Sequence, residues 1–61
     1  MTMRITVTNE DSNRTAVAVV EDVRPLAPGE YVTAYQREIA PGAKDEFWIH
    51  QGRRLRIEEK P

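Results

Sequence analysis

Hydrophobicity along this chain alternates with a period of two, and prolines and glycines stop each run before it can lengthen. From Met1 to Thr8 the alternation is strict: Met1, Met3, Ile5 and Val7 fall on one side, Thr2, Arg4, Thr6 and Thr8 on the other. That spacing, with β-branched residues at most positions, predicts a half-buried strand. Nowhere does an apolar spacing of 3.6 residues persist over a window long enough for a helix, so the predicted class is all-β.

The polar run Asn9-Glu10-Asp11-Ser12-Asn13 predicts a connecting loop, because these side chains bond their own backbone. Arg14 to Val23 reads as a second strand with two mild faces, Val17 and Val19 on one and Ala16, Ala18 and Val20 on the other. A strand without a polar face belongs in the middle of a sheet, covered on both sides. The segment Arg24-Pro25-Leu26-Ala27-Pro28-Gly29 is expected to break pairing, with Pro28-Gly29 at the centre of a type II turn. A third strand follows from Glu30 to Ile39. Strict alternation puts Tyr31, Thr33, Tyr35, Arg37 and Ile39 on one of its faces and Val32, Ala34, Gln36 and Glu38 on the other, and neither face declares itself inward. Ala40-Pro41-Gly42 repeats the spelling of Ala27-Pro28-Gly29, which reads as one turn chemistry used twice.

Two further strands complete the chain. Lys44 to Ile49 sets Phe47 and Ile49 against Glu46 and Trp48, and Arg53 to Glu59 sets Leu55 and Ile57 against Arg54, Arg56 and Glu58. These two are expected to form a hairpin: a two-residue loop Gln51-Gly52 would mix apolar and charged residues on each face, so a three-residue loop His50-Gln51-Gly52 is predicted, with Phe47 opposite Leu55, Trp48 opposite Arg54 and Glu46 opposite Arg56. Five short strands between turn signals predict a small antiparallel sandwich or partly open barrel, one domain over residues 1–61 with residues 1–2 and 59–61 as frayed ends.

Composition bounds what such a domain can do. Leu, Ile, Val and Phe supply only thirteen of 61 residues, and no cysteine is present to brace the core. Domains of this size bury only about 60% of their unfolded surface, so a core this lean invites support from outside. No stretch approaches the apolar length of a membrane span, and the N-terminus lacks the layout of a signal peptide. The expectation is therefore a chain of the bacterial cytoplasm or a virion, without membrane attachment. A net charge of -1 gives no global attraction to nucleic acid. Arginine outnumbers lysine seven to two, a bias that fits a GC-rich bacterial or phage genome.

Catalytic chemistry has few carriers. One serine, Ser12, falls in a turn-forming loop and one histidine, His50, in the expected hairpin turn, which argues against a nucleophilic pair. His50 with Asp45 and Glu46 lacks the paired spacing of a zinc motif, and the loop at Glu10-Asp11 lacks the glycine and distal glutamate of a calcium loop. The sequence thus predicts no enzyme, no cofactor and no metal. What remains is surface: Trp48, Arg54, Arg56, Tyr31, Tyr35 and Val20 are the interface candidates, because Trp, Tyr and Arg dominate interface hot spots and the second strand is apolar on both sides.

The expected function is a non-enzymatic structural or interaction module that docks with a protein partner or with its own copies in a larger assembly, such as a capsid-associated cement or decoration protein of a phage. An alternative is a small inhibitor of a larger enzyme or nucleoprotein, with Glu10, Asp11, Glu21, Asp22, Glu30 and Glu38 mimicking phosphates if they converge. A further alternative is a single-stranded nucleic-acid-binding β-barrel, in which bases stack on Trp48 and phosphates meet Arg53, Arg54 and Arg56. Glu46-Phe47-Trp48-Ile49-His50 resembles the aromatic strand of cold-shock domains, but that family's first aromatic-glycine strand has no counterpart here, and no family is assigned.

Overall fold

The computed structural model describes residues 1–61, the side chain of Pro28 excepted. It consists of five strands, β1 (Thr2–Thr8), β2 (Ala16–Arg24), β3 (Ala27–Ile39), β4 (Lys44–His50) and β5 (Arg53–Glu59). All pairings are antiparallel, in two sheets: β1 with β4, and β3-β2-β5. The sheets pack face to face as an open sandwich, without barrel closure. Phe47 of the first sheet meets Ala18, Val20 and Ile39 of the second, with Val7, Ala16, Tyr35, Ala43, Ile49 and Leu55 packed around them. No helix of the structure is long and apolar enough to cross a membrane.

The first strand forms as its alternation predicts, and β2 takes the central place that its two mild faces call for. Ala18, Val19 and Val20 are all buried, although Val19 points away from the other sheet, between Gln36 and Arg56. Thr2 and Glu59 lie in strands, and the Lys60 amide donates to the Thr15 carbonyl at 2.9 Å.

Three expectations need correction. First, β4 and β5 do not form a hairpin; a two-residue corner at Gln51-Gly52 carries the chain from one sheet into the other. Phe47 and Leu55 therefore meet across the sandwich, not side by side, and neither Trp48–Arg54 nor Glu46–Arg56 is a cross-strand pair. The physical reason is charge. In the β2–β5 register Glu21 lies opposite Arg54 and Asp22 opposite Arg53, so β2 offers β5 two carboxylates in step with two arginines, whereas the expected β4–β5 hairpin would set only Glu46 against an arginine. Gly52 permits the corner: its φ is +87°, and a β-carbon there would stand 3.2 Å from Val23 Cγ1.

Second, the turn between β2 and β3 is Pro25-Leu26, and Pro28-Gly29 lies inside β3. An edge strand accommodates a proline because one side of its backbone has no ladder to complete, and the register with β2 shifts between Val23 and Arg24 to absorb the extra residues.

Third, the third strand has no single inward face. Val20 pairs with Tyr35 and Glu21 with Thr33, leaving Ala34 as the extra residue of a β-bulge. The bulge reverses the side-chain parity. Tyr35, Arg37 and Ile39 point into the sandwich, Val32 points inward beyond the bulge, and Tyr31 and Thr33 point out.

The loop from Asn9 to Arg14 is tied down by two side chains. Asn9 Nδ2 donates to the carbonyls of Arg14 (2.7 Å) and Ile39 (3.0 Å), and its backbone bonds Ala43 and Gly42 in the β3–β4 turn. Asp11 Oδ1 accepts the amides of Asn13 and Arg14, and these bonds hold its carboxyl below the usual carboxylate range.

Candidate interaction surface

Three regions of the sandwich carry the candidate residues. On the outer face of the β3-β2-β5 sheet, Glu21 is buried to 8% exposure, and its two carboxylate oxygens face two arginines two residues apart on β5. Arg54 Nε donates to Oε1 at 2.9 Å, and Arg56 approaches Oε2 at 3.6 Å while bonding Glu58 at 3.0 Å. The Arg54 guanidinium lies 3.7 Å from the centroid of the Tyr31 ring, which the Ala34 bulge has turned outward to meet it. Arg54 is thereby fixed on two sides while half of it remains in solvent.

On the outer face of the other sheet, Trp48 is 52% exposed and stands opposite Arg4, whose guanidinium is 5.9 Å from the indole centroid. Trp48 and the Arg54–Arg56 pair thus occupy outer faces of different sheets and make no common patch. Trp48 does face outward, as its position predicts; its cationic neighbour is Arg4, which alternation assigns to the right face but which only the β1–β4 pairing brings to the ring.

The remaining candidates lie inside. Val20 is fully buried in the core and has no surface to offer, and Tyr35 is half-buried with Arg37 5.2 Å from its ring. Arg37 also reaches the Phe47 ring at 5.7 Å and Asp45 at 3.3 Å, closing that side of the core with a charge pair.

Sequence reasoning missed the third region. Met3, Val32 and Ile57 all point inward yet are 57%, 46% and 45% exposed. The three-stranded sheet is wider than the two-stranded sheet that faces it, which leaves part of its apolar face, with Val32 and Ile57, uncovered; Met3 is exposed on the narrower sheet, near the Thr2 end of β1. Alternation marks Met3 and Ile57 as inward; the uneven strand count that uncovers Val32 and Ile57 is a property of the pairing alone. Beside this gap, Asp22 receives two hydrogen bonds from Arg53, at 2.6 and 3.0 Å, and that fork holds the Asp22 carboxyl below its ordinary range and raises the Arg53 guanidinium.

The arrangement bears on the other chemistries as well. Ser12 lies beyond the Thr8 end of β1, while His50 pairs with Thr2 at the opposite end, roughly 20 Å away at about 3.3 Å per residue. Asp45 points inward to Arg37, away from Glu46 and His50, and among the described residues no three metal-ligating side chains converge. Every arginine except Arg4 is in an ion pair among the described residues. Of the carboxylates that mimicry would need, five are paired with cations: Asp11 with Arg14, Glu21 with Arg54, Asp22 with Arg53, Glu30 with Arg24 and Glu38 with Lys60.

Fold and surface together define a small open β-sandwich with incompletely covered apolar faces. Comparison with family models, with curated proteins and with solved structures finds no match.

Proposed function

We propose that this chain is a non-enzymatic interaction module that completes its burial against other protein chains in a larger assembly. The observation that carries the reading is the exposure of Met3, Val32 and Ile57 on inward-facing positions, in a domain where, among the described residues, only Ala18, Val19, Val20, Ile39 and Phe47 are buried apolar residues. The shape agrees. A radius of gyration of 12.7 Å and extents of 41 × 26 × 13 Å describe a thin slab, whereas a compact chain of this length has a radius of about 10.5 Å. Pairing of almost all arginines favours a protein partner over nucleic acid, since free cationic side chains dominate affinity for phosphate backbones. For a chain of this size and arginine bias, the assembly we favour is a phage or prophage particle, with the chain as a decorating or cementing subunit on the shell.

Association that covers apolar surface stabilises the folded state by mass action, so the melting temperature must rise with protein concentration. Sedimentation velocity and thermal melting from about 1 μM to about 1 mM, the range of weak protein contacts, test this. The expected result is a growing sedimentation coefficient and a rising melting temperature. A stable monomer whose melting is independent of concentration overturns the reading.

A further inference from the structure

The two sheets leave four strand edges without a partner: β1, β3, β4 and β5. Natural proteins blunt such edges with charge, proline, bulges or short length, because a bare ladder of N–H and C=O groups recruits another strand. Three of these edges are blunted. β3 carries Pro28, a bulge at Ala34 and the charges Glu30, Arg37 and Glu38. β4 begins Lys44-Asp45-Glu46, and β5 contains Arg53, Arg54, Arg56, Glu58 and Glu59. β1, Thr2-Met3-Arg4-Ile5-Thr6-Val7-Thr8, has no proline, no bulge and one charge, and that charge lies beside Trp48 on the outer face.

The strand is also complementary to itself. Antiparallel pairing of two copies about a two-fold axis through Ile5 sets Ile5 against Ile5 of the second copy, Met3 against Val7, Arg4 against Thr6 and Thr2 against Thr8. Every inward apolar residue then meets an apolar residue, threonine meets threonine, and the two Arg4 side chains avoid each other. Centring the pair on Arg4 instead would oppose the two guanidinium groups, a repulsion that selects against that register.

We infer that β1 is a homotypic pairing edge, on which a second copy of this chain adds through Ile5-centred antiparallel pairing to form the continuous sheet β4-β1-β1-β4. The pairing places Val7 of the second copy beside Met3, whose inward side chain is 57% exposed in the single chain. It is isologous and closes at two copies on this edge, so it yields a dimer and not a fibre. This inference rests on the interaction-module reading and assigns its edge, partner and register. A single strand pair falls short of the roughly 1,600 Å² of a standard interface, so the dimer belongs in the micromolar class or weaker.

The described chain has no cysteine, which makes crosslinking unambiguous. Directly opposed residues of an antiparallel pair stand about 4.5–5.5 Å apart at Cα, within disulfide reach, whereas diagonal ones lie beyond the limit of about 7 Å. Under mild oxidation, Ile5→Cys is expected to give a covalent dimer of twice 7.0 kDa on a non-reducing gel. Because Ile5 is partly buried, a second pair on the exposed outer face is included. An equimolar mixture of Arg4→Cys and Thr6→Cys chains is expected to crosslink about tenfold more than either variant alone, a contrast that only directly opposed positions produce. Self-association in sedimentation without either crosslink overturns the β1 edge and leaves the interaction-module reading standing. Absence of self-association up to millimolar concentration overturns both.

Discussion

Phe47 and Trp48 are neighbours in sequence with opposite surroundings, and truncating each tests the sandwich directly. Phe47 is wholly buried between the sheets and carries the Arg37 guanidinium on its ring. Its replacement by alanine removes that packing and leaves a cavity in the small core, which costs about 3–5 kcal/mol. The whole domain, at about 0.05–0.15 kcal/mol per residue, is worth roughly 3–9 kcal/mol, so Phe47→Ala removes between about a third and all of its stability, the larger share for a core this lean. Trp48 is different. With 52% of it exposed, about half of the 150–250 Å² that such a ring can bury is withdrawn from water, an upper bound of about 2–3 kcal/mol at 25 cal/mol per Å². A realistic unfolded reference and the retained β-carbon reduce this to about 1 kcal/mol. The assay is urea and thermal unfolding followed by far-ultraviolet circular dichroism, since the indole is lost, at one low protein concentration. Trp48→Ala is expected to melt about 4–8 °C below the parent, and Phe47→Ala to be largely unfolded at 25 °C. Equal losses from both variants, or a Phe47→Ala loss under about 1 kcal/mol, refute the assignment of inward and outward faces on β4.

Three other outcomes are expected. Asp22 titrates below its ordinary 3.8 because Arg53 hydrogen-bonds its charged form; the stability it supplies is complete above that ordinary value and is lost as pH falls through the lowered one. Asp22→Asn therefore flattens the acid limb of a stability–pH curve, and an unchanged limb counts against the pair. Asn9→Ala strips the carbonyls of Arg14 and Ile39 of their shared donor and is expected to cost about 1–3 kcal/mol in denaturant unfolding; a cost within error shows that water replaces the amide. Deleting Ala34 removes the bulge and keeps Thr33, Val32 and Tyr31 opposite Glu21, Asp22 and Val23, so Tyr31 stays outward and its nuclear Overhauser contacts with Arg54 persist; their loss would mean that Ala34 is not the extra residue.

The limits of sequence reasoning in this chain have identifiable physical causes. Strand positions and inward faces were legible on β1, β4 and β5 because their alternation is uninterrupted. On β3 the same rule left the face open, because one inserted residue, Ala34, divides the strand into two halves of opposite parity, and a lone alanine in a run of tyrosine, valine and threonine gives no sign of being extra. Pairing partners were harder still. Local hairpin logic joined β4 to β5, whereas the carboxylates Glu21 and Asp22, some thirty residues upstream, decide where β5 goes. Trp48 was readable as outward, but its separation from Arg54 followed only once the two strands were assigned to different sheets. The uncovered Val32 and Ile57 belong to the same category, since no single strand records how many partners its sheet has.

The corner at Gln51-Gly52 also determines when the domain can come into being. Of the three ladders, only β2–β3 joins strands adjacent in the chain; Thr2 waits for His50 and Ala16 for Glu59. Loop closure over such spans precedes any contact that rewards it, which makes folding slow for a chain of this length. During synthesis the β2–β3 ribbon can form as it emerges, while β1, made before the other four strands and least guarded at its edge, stays single until β4 follows it. A chain cut anywhere before β4 would lack the partner of its first strand, so the last third of the polypeptide is the part without which none of the sandwich closes.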